Sequence, residues 1–248
     1  MEKRPDALLL KFPGTNCDEE TARALEQSGF AVETLPFSLI TAARLAKTDL
    51  FVLSGGFSYG DYVMAGRLAQ LGLEHKLGAE LRAFHRGGGY LLGICNGFQI
   101  LMRMGLLPEG SLIGNTGGRF MCRWSTLRRT AAASPWLNGL PDEFEFPIAH
   151  AEGRFVAPPG LARKYVENGN ATLLYKDNLN GSDEAIAGIQ DDTRRVFGLM
   201  PHPERFITRE QHYDRDWSGA PNGWGYTFFR SIHDEIARTR LGAAASTT

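Results

Sequence analysis

The sequence predicts an α/β fold: a central, mainly parallel sheet flanked by helices, with an added antiparallel lobe. Two observations carry this expectation. In the first half, short apolar runs alternate with amphipathic stretches, the pattern of parallel strands joined by crossover helices. After Leu107 the pattern changes to strands separated by polar turns, as antiparallel pairs require.

The elements follow in order. Ala7–Phe12 reads as a strand and Glu19–Gly29 as a helix closed by its glycine. Ala31–Leu35, Leu50–Ser54 and Tyr90–Ile94 are short, rich in Leu, Val or Phe, and bounded by Gly, Pro or Ser, as buried parallel strands are. Between the last two, Leu77, Leu81 and Phe84 give Glu74–Arg86 a helical spacing. Gly118–Arg129 and Leu173–Tyr175 read as strands. Ala185–Gln190 and Arg195–Met200 form a hairpin around Asp191–Thr193, and a last helix lies near Tyr226–Arg240. No linker interrupts the chain, so residues 1–248 read as one domain, with a tail after about Gly242 expected to be disordered.

Composition narrows the function. Hydrophobic residues make up 43% of the 248 and charged residues 22%, ordinary for a soluble protein with a sizeable core. A net charge of −1, from 27 basic and 28 acidic residues, argues against nucleic acid or an anionic membrane as partner. The apolar run Ala7–Leu10 is too short for a signal segment, and no stretch approaches the ~18 residues of a membrane span. Three cysteines without a CxxC pair predict neither a disulfide framework nor a structural zinc site, so a cytoplasmic protein without a metal is expected.

The strongest local signal is Leu91–Gln99, where an apolar strand runs into Gly93-Ile94-Cys95-Asn96-Gly97 and then a helical pattern. This is the nucleophile-elbow layout with sulfur in place of oxygen. Side chains at Gly93 and Gly97 would clash in so sharp a turn, and the helix N-terminus favours a thiolate at Cys95. Cys17 and Cys122 read as buried structural cysteines. For the base, His202 follows an apolar strand between Pro201 and Pro203, with Glu204 placed to orient its ring. His75, His85, His212 and His233 read as solvated. His150, with Glu152 two residues on, is the rival base and is kept as a pocket or interface residue. Amide cleavage also needs oxyanion donors. The Asn96 N–H supplies one, and the Gly-rich loop Ser54–Asp61, through Gly56, supplies the other. That loop lacks the lysine pattern of a phosphate-binding loop.

GICNGFQ around Cys95, GGFSYGD at 55–61 and HPE at 202–204 resemble class I glutamine amidotransferases. KFPGTNCD at 11–18, NTGGRFMCR at 115–123, IAHAEGR at 148–154 and LMPHPER at 199–205 resemble, more narrowly, the glutaminase subunits of phosphoribosylformylglycinamidine synthases. The resemblance runs from about Leu8 to Phe206. It implies a flavodoxin-like domain that hydrolyses glutamine through a Cys95 thioester, with Gln99 helping to hold the substrate. It also implies that ammonia passes to a large synthetase subunit, often with a small bridging subunit. That synthetase uses ATP and magnesium, so this chain carries no cofactor of its own. Ala151 and Lys11 depart from the usual Gly and Arg, and residues 211–248, with the loop Trp217–Trp224, extend beyond compact members; simple packing is expected of that loop. The alternatives are a glutaminase subunit serving another synthetase, a stand-alone Cys-elbow hydrolase, or a non-catalytic subunit that keeps the fold.

Overall fold

The computed structural model of the chain describes residues 4–61, 64 and 66–245, with side chains to residue 240. Its strands are β1 (Asp6–Lys11), β2 (Ala31–Pro36), β3 (Leu50–Leu53), β4 (Tyr90–Ile94), β5 (Ser111–Ile113), β6 (Met121–Arg129), β7 (Glu143–His150), β8 (Arg154–Val156), β9 (Ala171–Tyr175), β10 (Ile186–Gln190) and β11 (Val196–Leu199). Its α-helices are α1 (Asp18–Gln27), α2 (Ala42–Leu45), α3 (Arg67–Arg86), α4 (Asn96–Arg103), α5 (Leu161–Asn168) and α6 (Trp224–Ala245).

One nine-stranded sheet runs in the order β2-β1-β3-β4-β11-β10-β9-β6-β7, and β5 pairs with β8 apart from it. From β2 to β11 every neighbour is parallel; from β11 to β7 every neighbour is antiparallel. The expected antiparallel lobe is therefore a continuation of the same sheet. The expected 185–200 hairpin straddles the junction: β10 turns back from β11, and β11 lies parallel to β4. β3, β4, β9, β10 and β11 are buried at every position, which explains their mainly apolar sequences.

β7 was not anticipated, although Phe144, Phe146, Ile148 and His150 alternate toward the core. Pro147 removes a ladder donor, and an edge strand tolerates that loss. α3 begins seven residues before the expected start, and Leu77 (φ −144°) breaks its regularity. α6 continues to Ala245, past Gly242 where the disordered tail was expected to begin; residues 246–248 lie outside the described ones.

The helix ends obey local chemistry. Asp18, Glu19 and Glu20 crowd the first turn of α1, where the dipole favours acids. Thr41 caps α2 by accepting from the Arg44 N–H. Behind the sheet, fully buried Trp136 stacks on Phe197 of β11 (5.5 Å between centroids) and near Phe228 of α6 (6.4 Å). Its indole N–H donates to the Arg194 carbonyl at 2.9 Å. Trp136→Ala leaves a large cavity and an unpaired carbonyl, so a loss of about 3–5 kcal/mol is expected in the urea unfolding free energy.

Candidate active site

β4 ends at Ile94 and α4 starts at Asn96, so Cys95 alone makes the reversal from strand to helix. Its φ of +51° and ψ of −104° lie where an L-residue rarely sits, a strain on the order of 1–3 kcal/mol. Its surroundings enforce the conformation. The Cys95 N–H donates to the Leu199 carbonyl (2.8 Å), and its carbonyl accepts from the Gln99 N–H (3.1 Å). A side-chain carbon at Gly93 would lie 2.6 Å from the Gly97 oxygen, and one at Gly97 would lie 1.9 Å from the Leu53 oxygen. Both glycines are required, for the reason the sequence implied.

β11, beside β4, delivers the residue expected to act as base. Its chain continues to His202, whose N–H donates to the Pro147 carbonyl at 2.8 Å. The Nδ1 of His202 lies 2.6 Å from Oε1 of Glu204, and both residues are buried. On its other side the ring meets thiols. A carbon at Gly55 would be 2.7 Å from His202 Cε1, 3.2 Å from Cys17 Sγ and 3.4 Å from Cys95 Cβ, so the four residues share one small space. Burial alone would push the His202 pKa down. The Glu204 carboxylate, helped by the Cys95 and Cys17 sulfurs, overrides it and raises the value well above the ordinary imidazole range. Cysteine, histidine and carboxylate are thus in contact order, the arrangement of a thiol nucleophile with an oriented base.

The expected oxyanion loop leaves the end of β3 and lies against the 13–17 segment. The Phe57 N–H donates to the Gly14 carbonyl (3.0 Å), the Tyr59 N–H to Pro13 (2.7 Å) and the Cys17 N–H to Gly55 (3.4 Å). Side chains then tie this loop to the elbow helix. Ser58 Oγ donates to Asn96 Oδ1 (2.6 Å), Asn96 Nδ2 to Gln99 Oε1 (3.0 Å), and Gln99 Nε2 to the Glu152 carbonyl (2.6 Å). Gly56 and Gln99 line one pocket with Cys95. Neither the Gly56 nor the Asn96 N–H donates to an acceptor among the described residues.

That pocket, of about 460 Å³, opens at the carboxyl ends of the parallel strands, where open α/β sheets place their sites. Asp61, Glu152, His150 and Arg205 complete its polar lining. Five expectations need correction or extension. His233 is half-buried, edge-on to Phe30 (5.2 Å between ring centroids), where a solvated residue was expected. Cys17 is buried as expected, but in the site itself, accepting from Arg205 Nη2 at 3.2 Å; burial raises its pKa against the opposing pull of His202. Cys122 is exposed at the pocket rim, because near its start β6 is uncovered on both faces, with Arg123 exposed as well. His212 is buried among Trp124, Phe206 and Trp217, with Nε2 3.3 Å from Glu145. His85 is half-buried against Asp191 at 3.0 Å. The Trp217–Trp224 loop packs on the domain, as expected. Cys17, His202 and Glu204 also offer ligand atoms within 4.8 Å of one another, a set a soft metal could use, but the His–Glu hydrogen bond already engages two of them.

The fold and site define a class, and comparison with known proteins agrees. Residues 4–234 match the family described as "CobB/CobQ-like glutamine amidotransferase domain", so the chain belongs to the glutamine amidotransferases. The "Phosphoribosylformylglycinamidine synthase subunit PurQ" of Cereibacter sphaeroides is 41% identical over 228 residues, covering 91% of this chain and 96% of that one. Its namesake from Dehalococcoides mccartyi is 38% identical over 221 residues, covering 83% and 87%. The "Structure of PurLQS from Thermotoga maritima" includes a chain that superposes with a TM-score of 0.79 at 35% identity, covering 94% of this chain and all of that one. Within the amidotransferases, the chain belongs to the phosphoribosylformylglycinamidine synthase subunit PurQ family. A more distant glutamine amidotransferase from Thermotoga maritima, at 14% identity and a TM-score of 0.60 over 95% of this chain and 99% of that one, shares the fold.

Glu204 raises the His202 pKa, so its contribution to folding is full below about pH 6.5 and is lost as pH rises through the raised folded value. The stability gap between wild type and Glu204→Gln is therefore expected to be widest near pH 6 and to narrow at alkaline pH. Urea titrations across that range check it; a gap that widens with pH contradicts the assignment.

Proposed function

We propose that this chain is the glutaminase subunit of phosphoribosylformylglycinamidine synthase, acting as a single cytoplasmic domain in purine biosynthesis. The observation that carries this reading is the strained Cys95 elbow set against the buried His202–Glu204 pair, in a chain 41% identical to a PurQ subunit. Cys95, as thiolate beside the His202 imidazolium, attacks the carboxamide carbon of glutamine. The Gly56 and Asn96 N–H groups receive the oxyanion, and Gln99 helps hold the substrate. Nitrogen takes the His202 proton and leaves as ammonia. The neutral imidazole then accepts a proton from the water that attacks the thioester, and glutamate departs with Cys95 restored.

The ammonia passes to a large synthetase subunit, with a small subunit bridging the two; the similar solved assembly named PurLQS supports that arrangement. The synthetase uses ATP and magnesium to convert formylglycinamide ribonucleotide to formylglycinamidine ribonucleotide, and this chain holds no cofactor. Among the described residues, no helix is long and apolar enough to cross a membrane.

Two kinetic outcomes are expected in the assembled complex. Cys95→Ala abolishes glutamine-dependent synthesis and leaves ammonia-dependent synthesis intact; equal loss of both would overturn the division of labour. Glu204→Ala is milder than His202→Ala, because an orienter matters less than the base it orients. Glutamate release under saturating glutamine measures the order, and the reverse order would point to another base.

A further inference from the structure

The Asn115–Arg123 and Ile148–Arg154 segments supply no member of the triad, yet they build a tightly specified corner of the pocket. Asn115 Nδ2 donates to the carbonyls of Arg119 (3.0 Å) and His150 (2.9 Å). Both partners can only accept, which settles the orientation of the amide. Asn115 Oδ1 then accepts from the Gly153 N–H (3.3 Å) and faces His150 Nδ1 at 3.1 Å. An oxygen facing a ring nitrogen requires the proton on that nitrogen, so Nδ1 is the protonated one. A side-chain carbon at Gly153 would fall 2.2 Å from Nδ1, so only glycine lets the ring sit here.

The other nitrogen is therefore a bare lone pair. His150 Nε2 is buried and has no donor among the described residues. Burial, with His202 nearby, lowers the ring's pKa to about 4 and keeps it neutral at ordinary pH. His150 lines the pocket that holds Cys95, and the carbonyl of its neighbour Ala149 lies 3.8 Å from Cys95 Sγ. Leaving an acceptor unpaired in a buried site costs stability, which a donor on the bound substrate would recover.

We propose that His150 Nε2 accepts the carboxamide N–H of bound glutamine and then the N–H of the departing ammonia, selecting an amide at this end of the pocket. The proposal rests on the glutaminase reading above. Glutamine offers two donor groups, and the pocket sorts them by charge: the α-ammonium suits the carboxylates of Asp61 and Glu152, and the neutral amide suits a neutral lone pair. As the tetrahedral intermediate collapses, the C–N bond breaks and its electrons stay on nitrogen. That nitrogen takes the His202 proton, and the carbonyl re-forms as the thioester. His150 gains and loses no proton; it holds the nitrogen while His202 delivers one.

The test compares glutamine with glutamic acid γ-methyl ester, whose leaving group has no N–H, in the assembled complex. For His150→Leu, kcat/KM for glutamine is expected to fall about tenfold further than for the ester, the effect of one neutral hydrogen bond. His150→Gln, which restores an acceptor oxygen, should recover most of the amide rate. Equal loss on both substrates, or undiminished glutamine turnover, overturns the proposal. Histidine ¹⁵N NMR of the wild-type protein gives a second reading independent of the variants. An unprotonated Nε2 at neutral pH is expected, and a protonated one sinks the idea. Wild-type protein that cleaves neither substrate would instead remove the glutaminase reading on which it rests.

Discussion

A one-residue reversal between a buried strand and a buried helix leaves little freedom to anything around it. Cys95 adopts positive φ because β4 and α4 meet with no loop between them, and they meet because Gly97 lies directly against the Leu53 carbonyl. Contact at that distance fixes the elbow helix on β3 as well as β4. The loop leaving β3 is thereby brought over the thiol, and the hydrogen bond from Cys95 to Leu199 sets the end of β11 beside it. Cys95, the loop leaving β3 and His202 meet around that one close approach.

Around that elbow the protein separates two histidines that start from the same intrinsic basicity. His202 faces a buried carboxylate and two sulfurs and is driven toward its charged form. His150 faces an amide oxygen, and burial, with a neighbouring imidazole, drives it toward its neutral form. Environments that push two groups of one kind in opposite directions mark a division between proton carrier and hydrogen-bond acceptor. The chain Ser58–Asn96–Gln99 couples the loop after β3 to the elbow helix, so these groups are held by side-chain hydrogen bonds as well as backbone packing.

Much of this was legible in the residues, and the omissions have physical causes. Most of the parallel half was readable because β1, β3 and β4 are buried apolar runs. β2, expected to be buried like them, is an edge strand with no buried residue. The elbow was readable because a strand, two glycines and a helical pattern stand within nine residues. His202 and Glu204 were readable because they are close in sequence. β7 was obscured by Pro147, which argues against a strand unless its edge position is known. Cys17 could not be placed in the site from sequence, since it reaches Cys95 only through the packing of two loops. His212 looked solvated among polar neighbours, but its aromatic enclosure comes from residues scattered between Trp124 and Trp217. The role of Asn115 lay in a contact with a residue 35 positions away.

The position of β11 in the sheet has a temporal consequence. It is the last strand to be synthesised among the described residues, yet it inserts between β4 and β10 and leads into His202. Until it is made, β4 has an open edge and the thiol at its tip has no partner from this strand. The turn after β11 is itself buttressed by the start of the final helix, where a side-chain carbon at Gly225 would fall 1.8 Å from the Pro203 oxygen. Cys95 is thus synthesised more than a hundred residues before His202. The pocket around Cys95 closes only when the last-made strand has joined the middle of the sheet.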